Sequence, residues 1–177
     1  MYQLNDKCQI RSLKAADLKC VLSWRNHTDI RRYMLSQQEI TEGEHYRWFE
    51  RASNDPTKKL LIVEENELAL GFVQFSGVAK DAIADWGFYA APAAPKGTGR
   101  KLGITALNFA FDFLKLHKVC GQALKFNTAS IYLHQALGFQ QEGILRDQHK
   151  IDGFYQDLIC FGLLRHEWRL NDLQTTE

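Results

Sequence analysis

The sequence predicts one α+β domain, of mixed α/β character, built on a mixed sheet flanked by helices. Three observations predict it. Apolar runs of strand length are interspersed with longer segments whose apolar residues recur at helical spacing. Turn-forming residues punctuate the boundaries, at Glu64–Glu67, at Gly97, at Gly138 and at Asp152-Gly153. The resulting order is strand, helices, three antiparallel-type strands, helix, strand, helix, two strands. The chain has 177 residues, 45% of them apolar, which suffices for one domain with its own core.

Each element has a local reason. Cys8 to Leu13 reads as the first strand. Ala15-Ala16-Asp17 leads into a helix whose Leu18, Val21, Leu22 and Trp24 lie near helical spacing. Thr41-Glu42-Gly43-Glu44 forms a capping box that opens a second helix bearing His45, Trp48 and Phe49. Leu60–Val63 is a strand, and Glu64-Glu65-Asn66-Glu67 turns it into Leu68–Ser76. Ile83–Ala90 is the next strand. Thr98–His117 reads as a helix apolar nearly all round, hence buried, with Phe109, Phe111 and Phe113 in the core. Val119–Phe126 is a strand and Thr128–Leu137 a shorter helix, ended by Gly138-Phe139. Gln140–Gln148 and Phe154–Leu164 are the last strands, joined at Asp152-Gly153. Arg165 to Trp168 read as the end of the terminal strand. The domain is expected to span residues 1–170, with 171–177 a polar, frayed tail.

A net charge of +1 gives no reason to expect nucleic acid or an acidic surface as partner. Cys8, Cys20, Cys120 and Cys160 form no C-x-x-C pair, so neither a metal site nor a disulfide framework is expected. Reduced thiols fit a cytoplasmic protein. The N-terminal residues lack the pattern of a signal peptide, and no apolar run has the length of a membrane span.

The segment Lys96-Gly97-Thr98-Gly99-Arg100-Lys101 opens the long helix. A glycine-rich helix start offers free backbone N–H groups to an anion. Cations there oppose the helix dipole, and a bound pyrophosphate would reverse that penalty. A tight turn with solvated basic side chains is the alternative. A second segment, Asn127–Phe139, places Asn127, Ser130 and His134 on one helical face.

Together these two segments resemble the GNAT N-acetyltransferase superfamily. Ala94-Pro95-Lys96-Gly97-Thr98-Gly99 matches its Q/R-x-x-G-x-G/A turn, with Ala94 in place of Gln or Arg. Asn127–Phe139 matches its N-x-x-A-x-x-x-Y-x-x-x-G-F element, with His134 in place of the tyrosine. The resemblance implies a mostly antiparallel sheet of about seven strands with a splayed pair that receives acetyl-CoA. It implies a pyrophosphate site at Lys96, Gly97, Thr98, Gly99 and Arg100. Asn127 and Ser130 would lie beside the cofactor, and main-chain groups of Phe88, Tyr89 and Ala90 would hold the pantetheine arm and the oxyanion. Trp24-Arg25-Asn26-His27 with Met34, Ile40, His45 and Trp48 resembles a narrower subgroup, the pseudaminic-acid-pathway acetyltransferases. Its members acetylate the 4-amino group of a UDP-amino-dideoxy sugar used in flagellin glycosylation. The same Arg-Asn element occurs in ribosomal-protein N-terminal acetyltransferases.

Acetyl transfer to an amine needs a base, an oxyanion site and an acid for the leaving thiolate. His134 is the expected acid, since imidazolium can donate near neutral pH. Gln122 stands where many relatives carry a glutamate, and could orient a water. Asp85, beside the expected cleft, is the candidate carboxylate base. Arg25, His27, Arg31, Tyr33, His45 and Trp48 are candidates to bind a diphosphate and a uracil ring. The expected partners are acetyl-CoA and a small nucleotide-sugar amine, with a homodimer left open. The competing readings are an N-terminal acetyltransferase of the ribosomal-protein type and a non-catalytic acyl-CoA-binding domain. A dinucleotide-binding enzyme fits less well, because the full G-x-G-x-x-G spacing is absent.

Overall fold

The computed structural model describes residues 2–3 and 8–168, and its elements begin and end where local chemistry starts and stops them. Strands β1 (Tyr2–Gln3) and β2 (Cys8–Ser12) precede a 3₁₀ turn at Ala15–Asp17 and helix α1 (Leu18–Asn26). A one-turn helix α2 (Thr28–Arg31), unmarked in the sequence, comes directly after it. Helix α3 (Glu42–Ser53) opens with the expected capping box: the Thr41 hydroxyl accepts from the Glu44 amide, and the Glu44 carboxylate accepts from the Thr41 amide at 2.8 Å.

Strands β3 (Lys58–Glu65) and β4 (Leu68–Ser76) turn on two residues, Asn66 and Glu67, both left-handed (φ 50° and 65°). Glu64 and Glu65 therefore belong to β3 and not to the turn. After β5 (Ile83–Ala90) comes α4 (Thr98–Asn108), then a π-helical segment at Phe109–Phe113. The wider turn and a left-handed Lys115 (φ 58°) end the helix before His117, so the expected length is corrected. Phe111 is fully buried, whereas Phe113 is 60% exposed and stacks on Phe109. Phe113 is thus not core. Strand β6 (Lys118–Leu124) leads to α5 (Thr128–Ala136). Left-handed Gly138 ends α5, letting the Phe139 amide donate to the His134 carbonyl. Strands β7 (Gln140–Ile151) and β8 (Phe154–Leu164) turn on Asp152 and Gly153. Residues 165–168 are helical, not the end of a strand, and the Trp168 indole donates to the Asn108 side chain at 2.8 Å. The expected polar tail, 171–177, lies outside the described residues.

The eight strands among the described residues form one sheet, ordered β1-β2-β3-β4-β5-β6-β8-β7, antiparallel except between β5 and β6. One more strand than expected is present, the two-residue β1. Alternation sends Leu61, Val63, Val73, Phe75 and Trp86 to one face, under Leu102, Leu107 and Phe111 of α4 and the π segment. Leu60, Ile62 and Phe72 point to the other, under Val21 and Trp24 of α1 and Ala52 of α3. Burial on both faces explains why β3 and β4 read as continuous apolar runs.

The β5–β6 ladder is short. It pairs Ile83 with Lys118, Ala84 with Val119 and Asp85 with Cys120, and then the strands part. β5 stays paired with β4 as far as Ala90. From Trp86 onward its other edge faces a fork, which is the expected splay.

Replacing Phe111 by Ala should cost about 3–5 kcal/mol of unfolding free energy in denaturant titration, the usual result of emptying a closed core site. Phe113→Ala should cost about 1 kcal/mol or less, because its ring is largely in water.

Candidate active site

The fork opens a cleft of about 330 Å³, lined by Asp85, Trp86, Phe88, Cys120, Gln122, Asn127, Ser130 and His134, among others. Three of the expected catalytic residues and two of the expected cofactor contacts on α5 thus meet at one place. Asp85 and Gln122 are exposed to the cleft, and Gln122 makes no side-chain hydrogen bond among the described residues. The Asn127 carboxamide oxygen caps α5, accepting from the Ser130 amide at 3.2 Å. Cys120, at the crotch of the fork, was not singled out by sequence. Burial pushes its thiol up from the usual value, which keeps it protonated and a poor nucleophile.

The glycine turn enters α4 through a left-handed Gly97 (φ 88°) with open space where a Cβ would stand. Within the turn, the Thr98 amide donates to Pro95 and the Arg100 amide to Gly97. The amides of Gly97 and Gly99 have no acceptor among the described residues. Thr98 is buried, and its hydroxyl is spent on the Pro95 carbonyl at 2.7 Å. The Lys101 ammonium turns away to the Glu65 carboxylate at 2.8 Å. Lys96 and Arg100 remain exposed beside the turn.

His134 does not fit the role of acid. It is 1% exposed, and both ring nitrogens are occupied. The Trp86 indole N–H, which can only donate, points at Nε2 from 3.1 Å. Nε2 must then accept, so the proton sits on Nδ1, 2.7 Å from the Ser130 carbonyl oxygen. Burial lowers the imidazole's pKa, only partly opposed by the Ser130 bond. The ring is neutral, and its one N–H is aimed at the helix backbone rather than the cleft. Tyr132, on another face of α5, is 71% exposed.

A second cavity, of about 430 Å³, lies on the α1/α3 side of β5. Arg25, His45, Trp48, Phe72, Gln74 and Tyr89 line it, and Met34, Gly87 and Phe88 border both cavities. Arg25 is half-buried and has no carboxylate partner among the described residues. One nitrogen donates to the Ser36 carbonyl, and Nη1 is buried without a hydrogen bond. Burial lowers its pKa, as does Arg31, while Tyr89 opposes them, yet a guanidinium stays charged. His45 is 5% exposed and stacked on Trp48 at 5.0 Å; burial first, and then the Arg25 charge, lower its pKa. Two carboxylates line the cavity, but Glu39 is ion-paired with Arg31 at 2.8 Å and Glu44 is held by the Thr41 cap. Tyr33 lines the forked cleft instead, near Phe126.

His27 lines neither cavity. It is exposed at the start of α2, where Nδ1 accepts from the Asp29 amide, so its expected substrate contact is corrected to a helix cap. The side chains that sequence reasoning missed, Phe72 and Gln74, come from β4. The register of Phe72 with Tyr89 and Gln74 with Gly87 puts them on the cavity face. Their signal was period-two alternation, but it becomes informative only once the strand order is known.

His45 and His134 both have folded-state pKa values below the unfolded 6.5. The unfolded chain therefore binds more protons as pH falls below 6.5, and stability is lost in that direction. Thermal unfolding should show a melting temperature that is flat near neutrality and falls on acidification. His134→Gln should remove part of that slope.

The family model of the acetyltransferase (GNAT) domain matches residues 8–140. Acetyltransferase PseH of Campylobacter jejuni is 28% identical over 123 residues, covering 70% of this chain and 76% of its own. Spermidine N(1)-acetyltransferase of Vibrio cholerae is 26% identical over 168 residues, covering 93% and 97%. A crystal structure of Vibrio cholerae spermidine N-acetyltransferase with CoA and spermine superposes with a TM-score of 0.85 at 24% identity, over 92% of this chain and 98% of that one. The match to residues 8–140, on a sheet that forks between its two parallel strands, makes this chain a member of the GNAT acetyltransferase family.

Proposed function

We propose that this chain transfers the acetyl group of acetyl-CoA to the 4-amino group of a UDP-linked amino-dideoxy sugar, as in the pseudaminic acid route to flagellin glycosylation. The observation that carries this reading is Arg25, a charged guanidinium in the acceptor cavity without a carboxylate partner among the described residues. An all-cationic polyamine would meet repulsion there, about 4 kcal/mol for like charges roughly 4 Å apart at a surface-like dielectric. A nucleotide diphosphate matches the guanidinium fork. The stacked His45–Trp48 pair offers an aromatic face to a base. The likeness to PseH supports the same substrate class, while the likeness to spermidine acetyltransferases supports a polyamine.

Acetyl-CoA supplies the acetyl thioester. The Gly97 and Gly99 amides, with Lys96 and Arg100 beside them, take its pyrophosphate. The fork admits the pantetheine arm alongside β5, where the unpaired edge of Phe88–Ala90 offers main-chain donors to the arm and to the oxyanion. Asn127 and Ser130 flank the arm from α5. On the other side of β5 the acceptor rests against Arg25, His45 and Trp48. Asp85 takes the ammonium proton through water that Gln122 orients, and cleft water returns a proton to the thiolate.

Two measurements test this. Gly97→Ala should let the turn relax out of its left-handed form in the free protein; restoring that form on binding costs an L-residue roughly 1–2 kcal/mol, so calorimetry should find acetyl-CoA affinity reduced about tenfold with the fold intact. A thiol-release assay should show turnover with the UDP-amino sugar well above that with spermidine or peptides bearing a free N-terminal amine. Arg25→Ala should raise KM for the sugar without weakening acetyl-CoA binding. A preference for spermidine would move the chain to the polyamine group, and a preference for peptides to the ribosomal-protein type. No release with any amine would favour a binding domain.

A further inference from the structure

We propose that His134 is a positioning residue: fixed as its Nδ1–H tautomer, it bridges α5 to β5 across the fork and sets the mouth of the acetyl-CoA cleft. This rests on the reading of that cleft as the acetyl-CoA site. The bond is placed where the sheet stops holding itself. Asp85 is the last β5 residue paired with β6, and Trp86 is the next. What β6 no longer supplies, α5 does: the Trp86 indole donates to His134 Nε2 at 3.1 Å, while Nδ1 donates to Ser130 within α5.

The space for this bond is kept by a glycine. A Cβ at Gly121 of β6 would stand 2.3 Å from His134 Nε2 and 2.6 Å from Trp86 Nε1, closer than real atoms approach. The ring is also clamped from the sides. It stacks on Phe161 at 4.6 Å and meets Phe139 at 5.0 Å and Phe88 at 5.8 Å. The side chains packed on it from β5, β8 and the end of α5 are thus aromatic. Besides His134, Asp85 of β5, Cys120 of β6 and Tyr33 are the ionisable groups lining the cleft that it shares, and among the described residues no charged partner stabilises an imidazolium. A second ring proton would set two donors, Nε2–H and the indole N–H, against each other. Phe88 packs on both Trp86 and His134, so the position of the bond is passed directly to a residue that borders both cavities.

The test combines NMR with binding and kinetics. In the ligand-free protein, nitrogen-15 imidazole spectra should show His134 neutral, protonated at Nδ1, at every pH between about 6 and 8. His134→Ala should weaken acetyl-CoA binding and raise its KM roughly tenfold, the scale of one buried hydrogen bond, with kcat changed less than about threefold. His134→Gln, whose amide oxygen can accept from Trp86, should recover most of that loss. Trp86→Phe should match the alanine variant, and the double variant should add nothing further. The pH profile of kcat should keep its shape in His134→Ala. An imidazolium at neutral pH would overturn the proposal. So would a hundredfold loss of kcat in His134→Ala with unchanged acetyl-CoA affinity and a missing limb in the pH profile, which is the signature of an acid. If the wild type itself binds no acetyl-CoA, the reading of the cleft fails and the proposal with it. Wild-type binding with equal affinity in His134→Ala overturns the role of His134 alone.

Discussion

The ladder between β5 and β6 ends after three residue pairs, and most of this protein's chemistry depends on that early stop. A parallel pair in the middle of a sheet would ordinarily continue, because unpaired backbone groups away from water are costly. Here the cost is met on one edge only. β5 stays tied to β4 as far as Ala90, and β6 stays tied to β8 along its whole length, so both strands are rigid as they diverge. A fork with stiff arms is a preorganised slot for an extended chain. The helices then serve the slot, since α4 brings its amide-rich end to one side and α5 closes the other.

The two cavities lie on opposite sides of the same short piece of strand. Gly87, Phe88 and Met34 belong to both, so on the proposed reading an amine in one would meet a thioester in the other across a single layer of backbone. Charge divides the same way. The cavity on the α1/α3 side holds a guanidinium with no carboxylate partner among the described residues and a histidine whose pKa burial lowers, while its two carboxylates are committed to Arg31 and to a helix cap.

Much of the fold is legible in the sequence because its signals are local. The capping box at Thr41, the Asp152-Gly153 turn and the Gly138-Phe139 stop all act through neighbouring residues, and each appears where its chemistry demands. What the sequence hides is nonlocal. His134 looks like a titratable group at the cofactor because its helical face is right, but its state is decided by Trp86, 48 residues away, and by the absence of a side chain at Gly121. His27 stands two residues from Arg25 in the chain, yet the start of α2 turns it outward as a cap. Phe113 keeps to the apolar rhythm of its helix, and the rhythm changes beneath it.

That change of rhythm has its own meaning. A π-helical turn holds more residues than an α-helical one. Between Phe109 and Phe113 the chain therefore absorbs an extra residue, and the added length bulges outward at Phe113 instead of being passed on to β6. Leu116 still reaches the core, its amide bonding back to Ala110, and Lys118 and Val119 still enter β6 in phase with Ile83 and Ala84. The segment works as an expansion joint. A change of one residue in helix length can be taken up there while the register of the two central strands, and with it the position of the fork, stays where it is.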